Sequence, residues 1–329
     1  MNIFFKRNRD NRLASGRCDS TSKKSKIKKG SGQMKLGFIG FGEVGFEMSK
    51  GFGGAGLTGI LAYDIMQGDP VYGPVLAERV QKAGVTLCST AQAVLENSAV
   101  VIVAVPGGKA LETSKQLKPW LKSGLVYADV SASAPDTKRK IWEEIQATGA
   151  LFVDGAMLGS LPLYQHKVPT LVSGNGSDRF IATMSPYGMD LEKVSDTPGE
   201  ATAIKFVRSI FMKGLPALLV EMLEAASTMK VDHLVLKSIA ATMNACSFEE
   251  TMNRLVTGSA FHAERRAHEM ESVVEMLQSI QVQPTMTKAA YERLTWLAGK
   301  KIKEKFGGKT PKEWQQVVKA WEEPETQKK

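Results

Sequence analysis

Lys205 sits in the setting that best suits proton transfer in this chain. Arg208 follows it at i+3 and Ser209 at i+4, which places all three on one face of a helix. A free lysine titrates near ~10.4; burial or a neighbouring cation lowers that value toward a range where the amine can accept and return a proton. Arg208 would add such a charge, and its guanidinium can hold a carboxylate or phosphate through two parallel hydrogen bonds. Taken alone, Lys205 reads more readily as a solvated residue in a chain with 43 lysines and arginines.

A second group of residues is built to bind. Gly40-Phe41-Gly42-Glu43-Val44-Gly45 fits the pattern G-x-G-x-x-G. It follows the apolar run Leu-Gly-Phe-Ile, opens a helical segment, and is followed by Asp64 at the end of the next apolar run. In that context the pattern predicts a dinucleotide site. Gly40 permits the tight turn, Gly42 lets the backbone approach a pyrophosphate, and Gly45 lets helix and strand pack closely, with the helix N-terminus aimed at the phosphates. The Asp64 carboxylate is placed to accept from the adenosine ribose hydroxyls. It would repel a 2′-phosphate, and no arginine follows within residues 65–68. NAD is therefore expected over NADP. The apolar run 99–105 ends in Val105-Pro106-Gly107-Gly108. Ligands of open parallel sheets lie outside the carboxyl ends of the strands, so Val105 and Pro106 are expected to border the cofactor. An ordinary strand-to-helix turn is the alternative there.

These groups need a scaffold, and the apolar pattern supplies one. Short β-branched runs at 35–40, 59–63, 86–88, 99–105, 125–129, 151–154 and 170–173 read as strands. Helical segments at 44–52, 74–83 and 135–147 alternate with them, which predicts a doubly wound parallel sheet of the Rossmann type. Beyond Pro198-Gly199, a breaker pair, the pattern is helical nearly throughout, beginning with one long segment over 201–229 that Pro216 would kink. The expected organisation is a basic tail at 1–33, a nucleotide-binding α/β domain at 34–198 and an all-α domain at 199–329. A last helix is expected from Pro311, with Thr310 as its N-cap and Glu313 completing a capping box. Trp314, Val317, Val318 and Trp321 would form its apolar face, read as core or dimer contact.

Three further stretches carry a resemblance. They are Asp129-Val130-Ser131-Ala132-Ser133-Ala134-Pro135, Phe152-Val153-Asp154-Gly155-Ala156-Met157-Leu158-Gly159 and Lys205-Phe206-Val207-Arg208-Ser209. Together with the glycine turn, over roughly residues 34–230, they resemble the β-hydroxyacid dehydrogenase family, which includes 6-phosphogluconate and 3-hydroxyisobutyrate dehydrogenases. The helical part resembles a lesser-known phosphogluconate-dehydrogenase-like subgroup of oxidoreductases. The resemblance implies that Lys205 is the acid/base of a reversible hydride transfer between NAD(P) and a small β-hydroxy acid. It implies that Ser131, Gly159 and Ser209 line the substrate site beside Arg208. It also implies that the helical domain forms a homodimer contact and one wall of the cleft. Ser209 stands where the family has Asn, Leu158 where it has Ser, and Met212 where 6-phosphogluconate dehydrogenases have Glu. These departures weigh against that sugar acid and against decarboxylation. An imine or aldehyde reductase on the same scaffold, and a non-catalytic dinucleotide sensor, are the competing readings.

Composition narrows the field further. The net charge is +9, but residues 1–33 carry +8 of it, so the remainder is nearly neutral and lacks the electrostatic footprint of a nucleic-acid binder. The tail is read as a dispensable extension, with Met34 as the functional start. An organellar presequence and a nucleic-acid or membrane-surface arm are the alternatives. No apolar run approaches the ~20 residues of a membrane span. Cys18, Cys88 and Cys246 lie far apart, which suits a reducing cytoplasm and gives no metal spacing. His262, Arg265, Arg266 and His268 are read as a solvated face, with a contribution to the substrate pocket as the alternative. No metal is expected, and the expected partner is a small-molecule substrate.

Overall fold

The computed structural model describes residues 35–322; the basic tail at 1–33 lies outside them. The elements run β1 (Leu36–Ile39), α1 (Glu43–Gly54), β2 (Leu61–Tyr63), α2 (Tyr72–Ala83), β3 (Thr86–Leu87), α3 (Ala91–Glu96), β4 (Val100–Val103), α4 (Ala110–Leu117), β5 (Val126–Asp129) and α5 (Pro135–Ile145). They continue with β6 (Leu151–Met157), α6 (Leu161–Tyr164), β7 (Thr170–Ser173), α7 (Ser177–Met184) and β8 (Leu191–Ser195). From there every described element is helical: α8 (Glu200–Thr228), α9 (Asp232–Met243), α10 (Phe248–Phe261), α11 (Ala263–Ser279), α12 (Thr285–Ala298), α13 (Ile302–Lys305) and α14 (Trp314–Glu322).

The strands form one sheet in the order β3-β2-β1-β4-β5-β6-β7-β8. Pairing is parallel except between β6 and β7. The reversal departs from the wholly parallel sheet expected. A parallel return needs a crossover long enough to traverse the sheet, and residues 158–169 hold only the four-residue α6 and a 3-10 turn. β8, whose residues are half-exposed at the sheet edge, gave no clear apolar alternation in sequence.

Alternation within each strand divides the core between the two faces of the sheet. Leu36, Phe38, Val100, Ile102, Val126 and Ala128 pack on one face with Phe52 of α1 and Met184 of α7. Ile39, Val101, Val103 and Tyr127 pack on the other with Leu117 of α4 and Ile141 of α5. Burial of both faces is why these strands read as unbroken apolar runs; each such side chain contributes about 1.5–3 kcal/mol. Local signals fare well where the chain itself supplies the partner. Gly84 ends α2 in the left-handed conformation, with φ 63°, and Pro135 opens α5.

Two helix starts are set from a distance instead. α14 begins at Trp314, three residues past the expected Pro311, and its first N–H donates to Asn253 Oδ1 at 2.7 Å. Gln316 Oε1 accepts from Lys312 and Glu313, so Thr310 and Glu313 form no capping box. Its Val317 is fully buried against Ala260, Ala263, Leu297 and Ile302, with Trp321 packed alongside, so this face is core. At the start of α12, the buried Glu221 of α8 accepts the N–H groups of Met286 and Thr287 at 2.6 and 2.8 Å. α8 runs unbroken through Pro216.

Candidate active site

The glycine turn joins β1 to α1 at the carboxyl edge of the sheet. Gly40 has φ +85°, and a Cβ there would lie 2.5 Å from the Ala104 carbonyl oxygen, so only glycine lets the end of β1 approach the end of β4. Gly45 packs its Cα side against Phe41 and the Gly40 carbonyl. Gly42 differs: nothing lies within 4 Å of where its Cβ would be. Gly42 is also the N-cap of α1 and supplies no side-chain cap, so the first N–H groups of that helix remain available for an anion. The turn thus has the space, the exposed backbone donors and the dipole that a pyrophosphate needs. Glu43 and Val44 begin the helix, Glu43 exposed and Val44 packed on the core.

Asp64 ends β2 and braces this turn. Its Oδ2 accepts the Phe41 N–H at 2.7 Å and its Oδ1 accepts the Met66 N–H at 2.9 Å. The carboxylate is held beside the turn, half-buried, with lone pairs left for ribose hydroxyls. Across the crevice, a Cβ on Gly107 would lie 2.5 Å from the Ala132 carbonyl oxygen. The Val105-Pro106-Gly107 segment after β4 therefore runs against the Ser131–Ser133 turn after β5. Three strand ends converge where the strand order reverses on either side of β1 and β4, the usual ligand crevice of such sheets.

Ser131 follows β5 at this crevice, and Lys205 lies on a separate element, α8, within electrostatic reach of Lys138 and Asp154. Asp129 Oδ1 accepts the Ser131 N–H at 2.7 Å, and Ser131 Oγ donates to Ser133 Oγ at 3.1 Å. Lys205 lies in the second turn of α8, whose N-cap Gly199 has φ 92° and gives no side-chain cap. The caps come from the sheet. Asp154 of β6 accepts the Thr202 N–H at 2.9 Å and the Thr202 hydroxyl at 2.5 Å. Ser173 of β7 accepts the Ala201 N–H at 3.1 Å. The carboxylate also complements the positive end of α8.

Lys205 is half-buried, and its pKa is pushed down, first by burial and then by the ammonium of Lys138, with Lys213 adding to the effect and Asp154 opposing it. The acting cations are therefore Lys138 and Lys213 rather than Arg208, whose side chain is exposed. Ser209 donates its hydroxyl to the Lys205 carbonyl at 2.9 Å. Gly159 is exposed beyond β6, beside Val168 and Tyr164. In the cluster at 262–268, Arg265 pairs with Glu269 at 2.5 Å and His268 with Glu271 at 3.3 Å on the exposed side, whereas Arg266 is half-buried and donates to Ser259 Oγ at 2.6 Å. No cluster of potential metal ligands occurs among the described residues.

Sequence reasoning passed over Lys138, Thr202 and Ser173. Lys138 stands in the run Lys138-Arg139-Lys140, which reads as a solvated basic stretch, and nothing local marks its first member as buried.

Residues 35–187 match the NAD binding domain of 6-phosphogluconate dehydrogenase, and residues 221–297 match a domain of unknown function, DUF1932. The chain thus couples a dinucleotide-binding Rossmann domain of the 6-phosphogluconate dehydrogenase kind to that helical domain. An uncharacterized 28.5 kDa protein of Methanothermus fervidus is 28% identical over 255 residues, spanning 78% of this chain and 95% of its own length. A conserved protein of unknown function, noted for its structural similarity to 3-hydroxyacid dehydrogenases, is 29% identical with a TM-score of 0.55, covering 84% of this chain and 100% of its own. Mouse mitochondrial 3-hydroxyisobutyrate dehydrogenase is 26% identical over 151 residues, 45% of this chain; the match spans 43% of that enzyme's length. No helix among the described residues is long and apolar enough to cross a membrane.

Proposed function

We propose that this chain is an oxidoreductase that moves a hydride between NAD and a small β-hydroxy acid, with Lys205 as the general base for oxidation and the general acid for reduction. The observation that carries the reading is Lys205 itself. It is half-buried, its pKa is lowered, and its helix is fastened through Thr202 to Asp154 in the middle of β6. A lysine kept only for solubility has no use for that setting. The cofactor, bound at the Gly40–Gly45 turn, supplies a nicotinamide that takes or gives the hydride. The protein's part is the other proton. As the carbinol C–H bond breaks and the carbonyl forms, Lys205 Nζ takes the hydroxyl proton, and in the reverse direction returns it. The Ser131 turn and Arg208 receive the substrate carboxylate, and Gly159 with Ser209 borders it. Asp64, braced against Phe41 and Met66, favours NAD over NADP.

The working unit is a homodimer. α8 exposes large apolar residues around its circumference, among them Val207 at 67%, Ile210 at 75% and Val220 at 66%. A helix apolar all round belongs in an interior. This chain's own elements bury only Ala201, Thr202, Glu221 and Ala226 of its residues. A two-fold pairing of this surface with itself covers both copies at once and needs no other partner. On this reading residues 34–198 bind the cofactor and residues 199–329 pair the subunits and close the cleft.

The test is NAD reduction by the purified protein against a panel of 2- and 3-hydroxy acids, repeated with Lys205→Met. Turnover with a member of the panel, lost in Lys205→Met at unchanged NAD affinity, supports the reading. NAD binding without turnover on any member, or full turnover in the variant, overturns it.

A further inference from the structure

Lys138 is a lysine with a wholly buried side chain, which is rare for its type. It lies in the first full turn of α5. Its Nζ donates to the Asp129 carbonyl at 2.8 Å and to Asp129 Oδ1 at 3.0 Å, and stands 3.5 Å from Asp154 Oδ1. These two carboxylates hold the two halves of the candidate site. Asp129 fixes the backbone of Ser131, and Asp154 caps the first turn of α8, three residues ahead of Lys205. Asp129 and Asp154 are paired across β5 and β6, and the Lys138 ammonium reaches both of their carboxylates. A well-packed apolar triad of similar volume is generally as stable as a buried ionic one, so core packing alone gives no reason for charges here.

We propose that Lys138 is a positioning residue: its buried ammonium sets the spacing between the Ser131 turn and the first turn of α8, and provides the fixed positive charge that faces Lys205. The second part rests on the reading of Lys205 as acid/base. The charged groups acting on Lys205 come from each side of it: Lys138 from α5, Asp154 from β6 and Lys213 from its own helix. Lys138 differs from Lys213 in being buried and held in place between two carboxylates. Asp154 works against the lowering and belongs to the same network. Removing Lys138 therefore leaves Asp154 unopposed beside Lys205, and its ammonium form gains stability.

The test reads the titration of Lys205 without substrate or cofactor. Trace acetylation by acetic anhydride across a pH series, quantified by peptide mass spectrometry, gives the labelling midpoint of Lys205, with exposed Lys50 as internal reference. Lys138→Met is expected to raise that midpoint by about half a unit or more. Because that variant leaves two buried carboxylates facing one another, Lys138→Met with Asp129→Asn is measured beside it; it restores the net charge of the cluster and keeps an acceptor for the Ser131 N–H. Circular dichroism establishes that each labelled protein is folded. An upward shift for Lys205 with Lys50 unmoved supports the proposal. An unchanged Lys205 midpoint in a folded variant overturns it, and leaves the catalytic reading of Lys205 standing. Full turnover in Lys205→Met would remove that reading instead, and would leave the labelling result untouched.

Discussion

Asp154 and Thr202 are 48 residues apart and share two hydrogen bonds, one from the Thr202 N–H at 2.9 Å and one from its hydroxyl at 2.5 Å. This pair joins β6, the strand after which the sheet reverses direction, to the helix that carries Lys205. Both residues are buried, so the bonds are made in a medium where losing one is costly. Thr202→Val keeps the shape and removes the hydroxyl donor. It should lower stability by about 1.5–3 kcal/mol, the range for a hydrogen bond to a charged group. Chemical denaturation checks this; a loss below about 0.5 kcal/mol would show that the hydroxyl bond is not retained in solution.

Asp64 should decide the cofactor. Its carboxylate would repel a 2′-phosphate, and it also holds the Phe41 N–H. Asp64→Ala should weaken NAD binding while leaving NADP binding equal or improved, so that the ratio of the two dissociation constants falls. Isothermal calorimetry measures both. An unchanged ratio would place the discrimination elsewhere.

The pH dependence of oxidation should follow Lys205. The base must be unprotonated to accept the hydroxyl proton, so the rate rises with pH through its pKa. That pKa lies below the free-lysine value because burial and Lys138 both disfavour the ammonium. Lys205→Met should lose the rising limb together with about a hundred- to ten-thousandfold of turnover. Arg208→Ala should raise KM for an anionic substrate and leave the pKa of the limb in place, since Arg208 is not among the charges acting on Lys205. A limb that moves in Arg208→Ala would return Arg208 to the proton-transfer machinery.

His166 should make stability fall in acid. It is buried against Phe52, with ring centroids 4.9 Å apart, and burial pushes its pKa down. The unfolded chain takes up the proton below about pH 6.5, whereas the folded chain resists it to lower pH. Its contribution is therefore complete above that value and is lost as pH falls toward the depressed folded value. His166→Phe should flatten this part of the stability–pH curve. Gly51→Ala, whose Cβ would run into His166 Nδ1, should cost about 1–3 kcal/mol by overpacking. Urea denaturation at pH 5 and pH 7.5 tests both variants.

The exposed face of α8 should set the oligomeric state. Val220→Glu on α8 with Leu234→Glu on the following helix α9, at positions 66% and 67% exposed in the single chain, places charges on the apolar surface of these two helices without touching the sheet. Light scattering should then report a dimer for the parent and a monomer for the variant. A monomeric parent would leave this apolar surface to a different partner.

Much of this protein was legible in the order of its residues. The glycine turn, the strands over Leu36–Ile39 and Val100–Val103, the αL glycine after α2 and the proline opening α5 depend on neighbours within a few positions, and local pattern encodes those directly. Lys205 could be placed on a helix for the same reason. The sequence did not determine which charges face that lysine. Arg208 is near it along the helix, but the chain path brings in Lys138 from α5 and Asp154 from β6. The start of α14 moved for a like cause, because Asn253, 61 residues away, supplies its cap. The turn of β7 against β6 follows from how little chain lies between them to cross the sheet. Periodicity along a chain reports which face of an element is apolar. Which element comes to lie against that face, and hence whether a lysine in a basic run is solvated or locked between two aspartates, is settled only when the strands pair and α5 and α8 dock against β5 and β6.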